Sequence, residues 1–137
     1  MAGFELLEHT ADVGARAVGA RLEEVFEQAT AGLAEVMGAR WPGPPAGDPV
    51  PLEVTADDLG GLLVDWLGEV LWRLEVTPAT LAGVRVDRVA DGRAVGSLQL
   101  GPPAPEPDGT VVKAITYHRL RVEPAPTGWL AEVYLDV

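Results

Sequence analysis

From Leu81 onward, apolar and polar residues alternate in four successive runs: Leu81 to Val89, Arg93 to Leu100, Val111 to Val122 and Trp129 to Val137. Side chains of a strand point to opposite faces in turn, so each run reads as a strand with one face toward a core. Asp91-Gly92, between the first two runs, is a hairpin signal, because both residues tolerate the positive φ of tight turns. The earlier part of the chain follows another period. Leu22, Val25, Phe26, Ala29, Leu33, Val36 and Met37 recur at steps of three and four, as on one face of a helix, with Glu23 and Glu24 in the first turn and Gly38 as a stop. Leu59, Leu62, Leu63, Trp66, Leu67, Val70, Leu71 and Leu74 line a second, broader helical face, for which Thr55 and Asp58 make a capping-box-like start. Phe4 to Glu8, Arg16 to Val18 and Leu52 to Val54 read as short strands, residues 9–14 as a turn, and the proline-rich 41–51 as a loop. Helices and strands in this order lack βαβ alternation. The expected class is α+β, with two main helices packed on a mostly antiparallel or mixed β-sheet.

A length of 137 residues, 47% of them hydrophobic, suits one domain spanning 1–137 with one core. The formal net charge of −11 repels phosphate backbones, which argues against direct nucleic-acid binding and leaves cations, basic protein surfaces and small molecules as partners. There is no cysteine, so disulfides, thiolate metal sites and cysteine nucleophiles are excluded. No run approaches the roughly 18 apolar residues of a membrane span, and the first residues lack a secretory pattern, so the expected location is the cytoplasm. Serine occurs once, at Ser97 in a strand pattern, which speaks against a serine-nucleophile triad. Gly14 and Gly19 lack the strand-to-helix context of a dinucleotide fingerprint.

The residues that carry chemistry are few. On the last strand Leu130, Glu132, Tyr134 and Asp136 share the face opposite Trp129, Ala131, Val133, Leu135 and Val137, so Asp136 points away from the core. The carboxylate that ends the sequence at Val137 lies one residue further on. If Asp12 packs beside this end, three anionic groups converge on a site for a hard, oxygen-seeking ion, Ca²⁺, Mg²⁺ or Mn²⁺. The plainer alternatives are an Asx turn at Asp12 and a solvated acidic terminus. His9 is either a half-buried imidazole or part of the same turn's chemistry. Lys113, the one lysine, lies in Val112-Lys113-Ala114-Ile115-Thr116-Tyr117-His118, where strand period puts Lys113 and Tyr117 on one face and Thr116 and His118 on the other. It is either a solvated strand residue or a charge aimed at a partner's anion. Asp65 and Glu69 stand one helical turn apart on the polar side of the second helix, as solvated acids or as part of a partner surface.

Taken together, His9-Thr10-Ala11-Asp12-Val13-Gly14, Glu24-Val25-Phe26-Glu27-Gln28-Ala29, Leu62-Leu63-Val64-Asp65-Trp66-Leu67-Gly68-Glu69, Val112 to His118 and Leu135-Asp136-Val137 resemble, in order, the motifs of the archease family. Gly68 stands where the family often has Asn, and Arg21 opens the first helix where a capping residue is usual. The resemblance implies an SHS2-like strand-helix-strand-strand core with added strands. It also implies an accessory role, not enzymatic catalysis: activation of an RtcB-type RNA ligase in tRNA splicing and RNA repair, by promoting the ligase's guanylylation and turnover. By the same resemblance Asp12, Asp136 and the Val137 carboxylate match metal positions, with Ca²⁺ the first expectation. Lys113 matches a position needed for activation, and His9 and His118 lie in adjoining motifs. Against this stand a stand-alone metal-dependent hydrolase using the same carboxylates, and an interaction module with a structural metal.

Overall fold

The computed structural model of the protein describes residues 2–8, 12–104 and 109–137. In chain order the elements are β1 (Gly3–Glu8), β2 (Asp12–Gly19), α1 (Leu22–Val36), β3 (Val50–Thr55), α2 (Leu59–Val76), β4 (Thr80–Ala90), β5 (Arg93–Gly101), β6 (Ala114–Ala125) and β7 (Gly128–Asp136). The strands form two antiparallel sheets, ordered β1-β2-β7-β6 and β3-β5-β4. The α+β class and the antiparallel alternative are thus both realised.

Each helix buries the face that its period marks out. Val25, Phe26, Ala29 and Leu33 of α1 join Leu62, Leu63, Trp66, Leu67 and Val70 of α2 in a core shared with Ala15, Ala17, Val133 and Leu135 of the first sheet and Val86, Ala94 and Leu98 of the second. The two helices are also tied by a polar contact. The indole Nε1 of Trp66 donates to Thr30 Oγ1 at 2.9 Å, and that hydroxyl donates to the Phe26 carbonyl at 2.7 Å. Every polar atom of this buried triad is therefore satisfied inside the core.

The hairpin between β4 and β5 turns at Asp91 and Gly92, with φ of 55° and 73°, as the Asp-Gly pair predicts. Three sequence expectations need correction. Helix α2 is capped by Asp58, whose Oδ1 accepts from Gly61 N at 2.7 Å, because Thr55 is held in the β3 ladder opposite Arg93. Asp12 and Gly14 belong to strand β2, not to a turn, because β2 has an inner position in its sheet and pairs along its whole length with β7. Strand β6 begins at Ala114, after Lys113, and carries an irregularity between Thr116 (opposite Tyr134) and Arg121 (opposite Glu132). Five steps on β6 are matched by two on β7, so Thr116 and Arg121, an odd number of places apart, share one face and strict alternation breaks between His118 and Arg121, while Lys113 lies before the strand. Arg119, at φ 55°, takes part of the extra length.

On the outer face of the first sheet, Glu5, Arg16, Glu132 and Arg121 occupy directly paired positions on the four strands, alternating in sign. Arg16 donates to Glu132 Oε1 through Nε at 3.1 Å and Nη2 at 2.8 Å, and to Glu5 Oε1 at 2.8 Å. The hydrogen bonds that Arg16 donates to Glu132 hold its guanidinium above its ordinary range. A base raised on folding contributes stability below its unfolded pKa and loses it only as pH climbs past that value, so Arg16 keeps its contribution throughout the neutral range. Arg16→Ala leaves the largely buried Glu132 with Arg121 at 3.7 Å. We expect a loss of about 2 kcal/mol in urea unfolding, below the range for fully buried pairs because Arg16 is partly solvated.

Candidate metal and partner site

Two places further along that outer face, the pattern of charges changes. Asp12 on β2 is the register partner of Asp136 on β7, and Asp136 is in turn paired with Ala114 on β6. Directly opposed residues on one sheet face have Cβ atoms about 5 Å apart, so two carboxylates are held side by side. Among the described residues neither is in a salt bridge, and no third Asp, Glu or His side chain completes a metal-binding cluster. Val137 follows immediately, half-buried.

Between this acidic row and the Arg16 row lies Tyr134, which alternation along β7 puts on the same face. It is 4% exposed although it lies on the face away from the helices, because it lies over Gly14. A Cβ at residue 14 would stand 2.7 Å from Tyr134 Cε2, so the glycine makes room for the ring. His118 meets Tyr134 edge-on, with ring centroids 6.2 Å apart, so within the β6 irregularity this histidine still lies on the Tyr134 side of the sheet with Thr116, as alternation expects. Thr116 Oγ1 donates to the Tyr134 carbonyl at 3.0 Å and accepts from His118 N at 3.3 Å, which fixes the start of that irregularity. Lys113 is exposed, and its backbone N–H donates to the Asp136 carbonyl at 2.7 Å. Thus Asp12, Asp136, Val137, Lys113 and His118 gather where β2, β7 and β6 meet. His9 lies outside the described residues. Tyr134 and the Glu5-Arg16-Glu132-Arg121 row were not singled out as site neighbours from sequence; the alternation of β7 does put Tyr134 and Glu132 on the face of Asp136, but strand partners are not written in any local pattern.

Asp65 and Glu69 lie elsewhere, on the rim of an open cleft of about 550 Å³ between α2, β3 and the start of β6. Ala114 belongs to both places, since it lines the cleft and pairs with Asp136.

A family description, the Archease protein family (MTH1598/TM1083), matches residues 4–137. The chain belongs to the archease family. Archease of Methanosarcina acetivorans is 36% identical to it, over 98% of this chain and 95% of that one. Archease of Thermococcus gammatolerans is 37% identical, with both chains covered in full. The solution structure of Methanobacterium thermoautotrophicum protein 1598 superimposes with a TM-score of 0.75 at 31% identity, over 98% of this chain and 99% of that one. A crystal structure from Thermotoga maritima, described as an archease and possible chaperone, shares the fold with a TM-score of 0.64 at 21% identity, over 96% of this chain and 94% of that one.

Proposed function

We propose that this archease is an accessory protein of an RtcB-type RNA ligase, acting in tRNA splicing and RNA repair by promoting guanylylation of the ligase and its turnover in the cytoplasm. Family membership supports the reading, and the observation that carries it is the direct pairing of Asp12 with Asp136 beside Lys113. Like charges at directly opposed strand positions disfavour each other unless a cation joins them. Their all-oxygen donor set fits a hard divalent ion, Ca²⁺ first and Mg²⁺ or Mn²⁺ next, with a main-chain oxygen of Val137 as the third donor. Such an ion supplies a positive charge for an anionic group at the partner's active site. Lys113 places an exposed ammonium next to it, and His118 adds an imidazole at the same edge. The acidic chain itself does not hold RNA.

The test mixes the protein below stoichiometry with an RtcB-type ligase, GTP and a divalent metal, and follows covalent guanylate on the ligase. Guanylylation continuing over several equivalents of ligase per protein is the expected result. No stimulation overturns the reading. Hydrolysis of nucleotide or ester by the protein without ligase would instead identify a metal-dependent hydrolase.

A further inference from the structure

The cleft on α2 lies between two sheet edges. Among the described residues β3 pairs only with β5, and β6 only with β7, so each strand is the edge of its own sheet. Glu53, Val54 and Thr55 of β3 line one side of the cleft and Ala114 and Ile115 of β6 the other, while α2 packs against both strands and forms the floor with Val64, Gly68 and Leu71. Edge strands carry backbone groups that await partners. Gly68 is an independent sign that another chain comes close. It sits within α2, where glycine is the least favourable residue after proline, yet beyond its chain neighbours and its own helix backbone no atom of the described residues lies within 4 Å of where its Cβ would be. Among the described residues nothing requires a missing side chain there, whereas a polypeptide backbone laid across the helix does.

We propose that the cleft receives an extended segment of the partner protein, which adds a strand beside β6 and closes the gap to β3. This rests on the activator reading, in which that partner is the ligase. The chemistry of the rim selects the segment. Asp65 and Glu69, which are in no ion pair among the described residues, and Glu53, which shares its charge with Arg93 at 2.9 Å, face it without any lining lysine or arginine. The segment therefore alternates basic with apolar residues, the apolar ones meeting Val64, Leu71 and Ile115 and the basic ones reaching the rim. Because Ala114 also pairs with Asp136, a strand docked on β6 ends beside the carboxylate pair.

Two experiments test this. Backbone amide exchange is measured on the wild-type protein alone and in complex with an RtcB-type ligase, and at least one amide on each edge, within 53–55 and 114–115, is expected to slow by roughly tenfold or more. In the second, Gly68→Leu and the double variant Asp65→Lys, Glu69→Lys are titrated against the ligase. Gly68→Leu is expected to melt at or above the wild-type temperature, since leucine is the better helix former, while binding roughly tenfold more weakly. Stimulation of the ligase with both edges unprotected, or with Gly68→Leu binding as wild type, overturns the docking site and leaves the activator reading standing. Failure of the wild-type chain to bind or stimulate the ligase overturns both. Protection of the same amides in the ligase-free protein as its concentration rises would give the cleft to a second copy of this chain, which also overturns the proposal.

Discussion

The double substitution Asp12→Asn, Asp136→Asn is expected to leave the protein as stable as the parent or more so, while removing its effect on ligase guanylylation and its response to Ca²⁺. The two carboxylates are register partners on one sheet face, and among the described residues no basic group is paired with them. Amides of nearly the same shape keep the packing and remove the repulsion, a gain of up to about 1 kcal/mol for a half-buried, directly opposed pair. Binding of an ion to the folded state at a hundred times its dissociation constant adds about 2.7 kcal/mol, or roughly 8 °C in Tm for a chain of this size. The parent is expected to show such a shift on adding Ca²⁺ and the double variant none. A melting temperature that rises with Ca²⁺ equally in both proteins would place the ion elsewhere. Loss of guanylylation in a variant that has also unfolded would not count, and circular dichroism on the same samples separates the two.

The second large effect is on stability. Trp66→Ala is expected to lower the free energy of unfolding by about 4 kcal/mol, close to the whole reserve of some small domains. Trp66 is fully buried, and its indole is the polar bridge from α2 to Thr30 of α1. Truncation opens a large cavity and breaks a hydrogen bond in a place that water does not reach. Trp66→Phe separates the two contributions: it restores most of the volume, omits the donor, and is expected to cost about 1–2 kcal/mol, the bond and the remaining void together. Urea unfolding of both variants decides the matter. Equal losses in the two would mean that the hydrogen bond, not the volume, dominates.

Much of this fold can be read from local pattern because its elements obey their own periods. The three-and-four spacing from Leu22 and from Leu59 marks both helices, and Asp91-Gly92 marks the hairpin. The errors come where tertiary pairing overrides local preference. Thr55 is a good cap by type, but the β5 strand claims it, and Asp58 caps instead. Asp12-Val13-Gly14 looks like turn material, yet β7 draws it into a strand. The irregularity after Thr116 has no glycine or proline to announce it, since Arg119 adopts the positive φ. The candidate site shows the same division. That Asp136 faces away from the helices follows from alternation on one strand. That Asp12 lies opposite it depends on which strands are neighbours, and that the acids of α2 look into a cleft depends on how two sheets are set around a helix.

The order β1-β2-β7-β6 bears on how the protein comes to its native state. β1 with β2, and β6 with β7, are local hairpins, each able to form early. Their union requires β2 and β7, at opposite ends of the sequence, to find one another across both helices and the second sheet. Closure over such a span has a high entropic barrier, so this is the step we associate with the folding rate. Asp12 and Asp136 meet only in that step, and their mutual repulsion opposes it. Refolding in the presence of Ca²⁺, or of the doubly amidated chain, should thus be faster than that of the ion-free parent, to the extent that β2 and β7 are paired in the transition state.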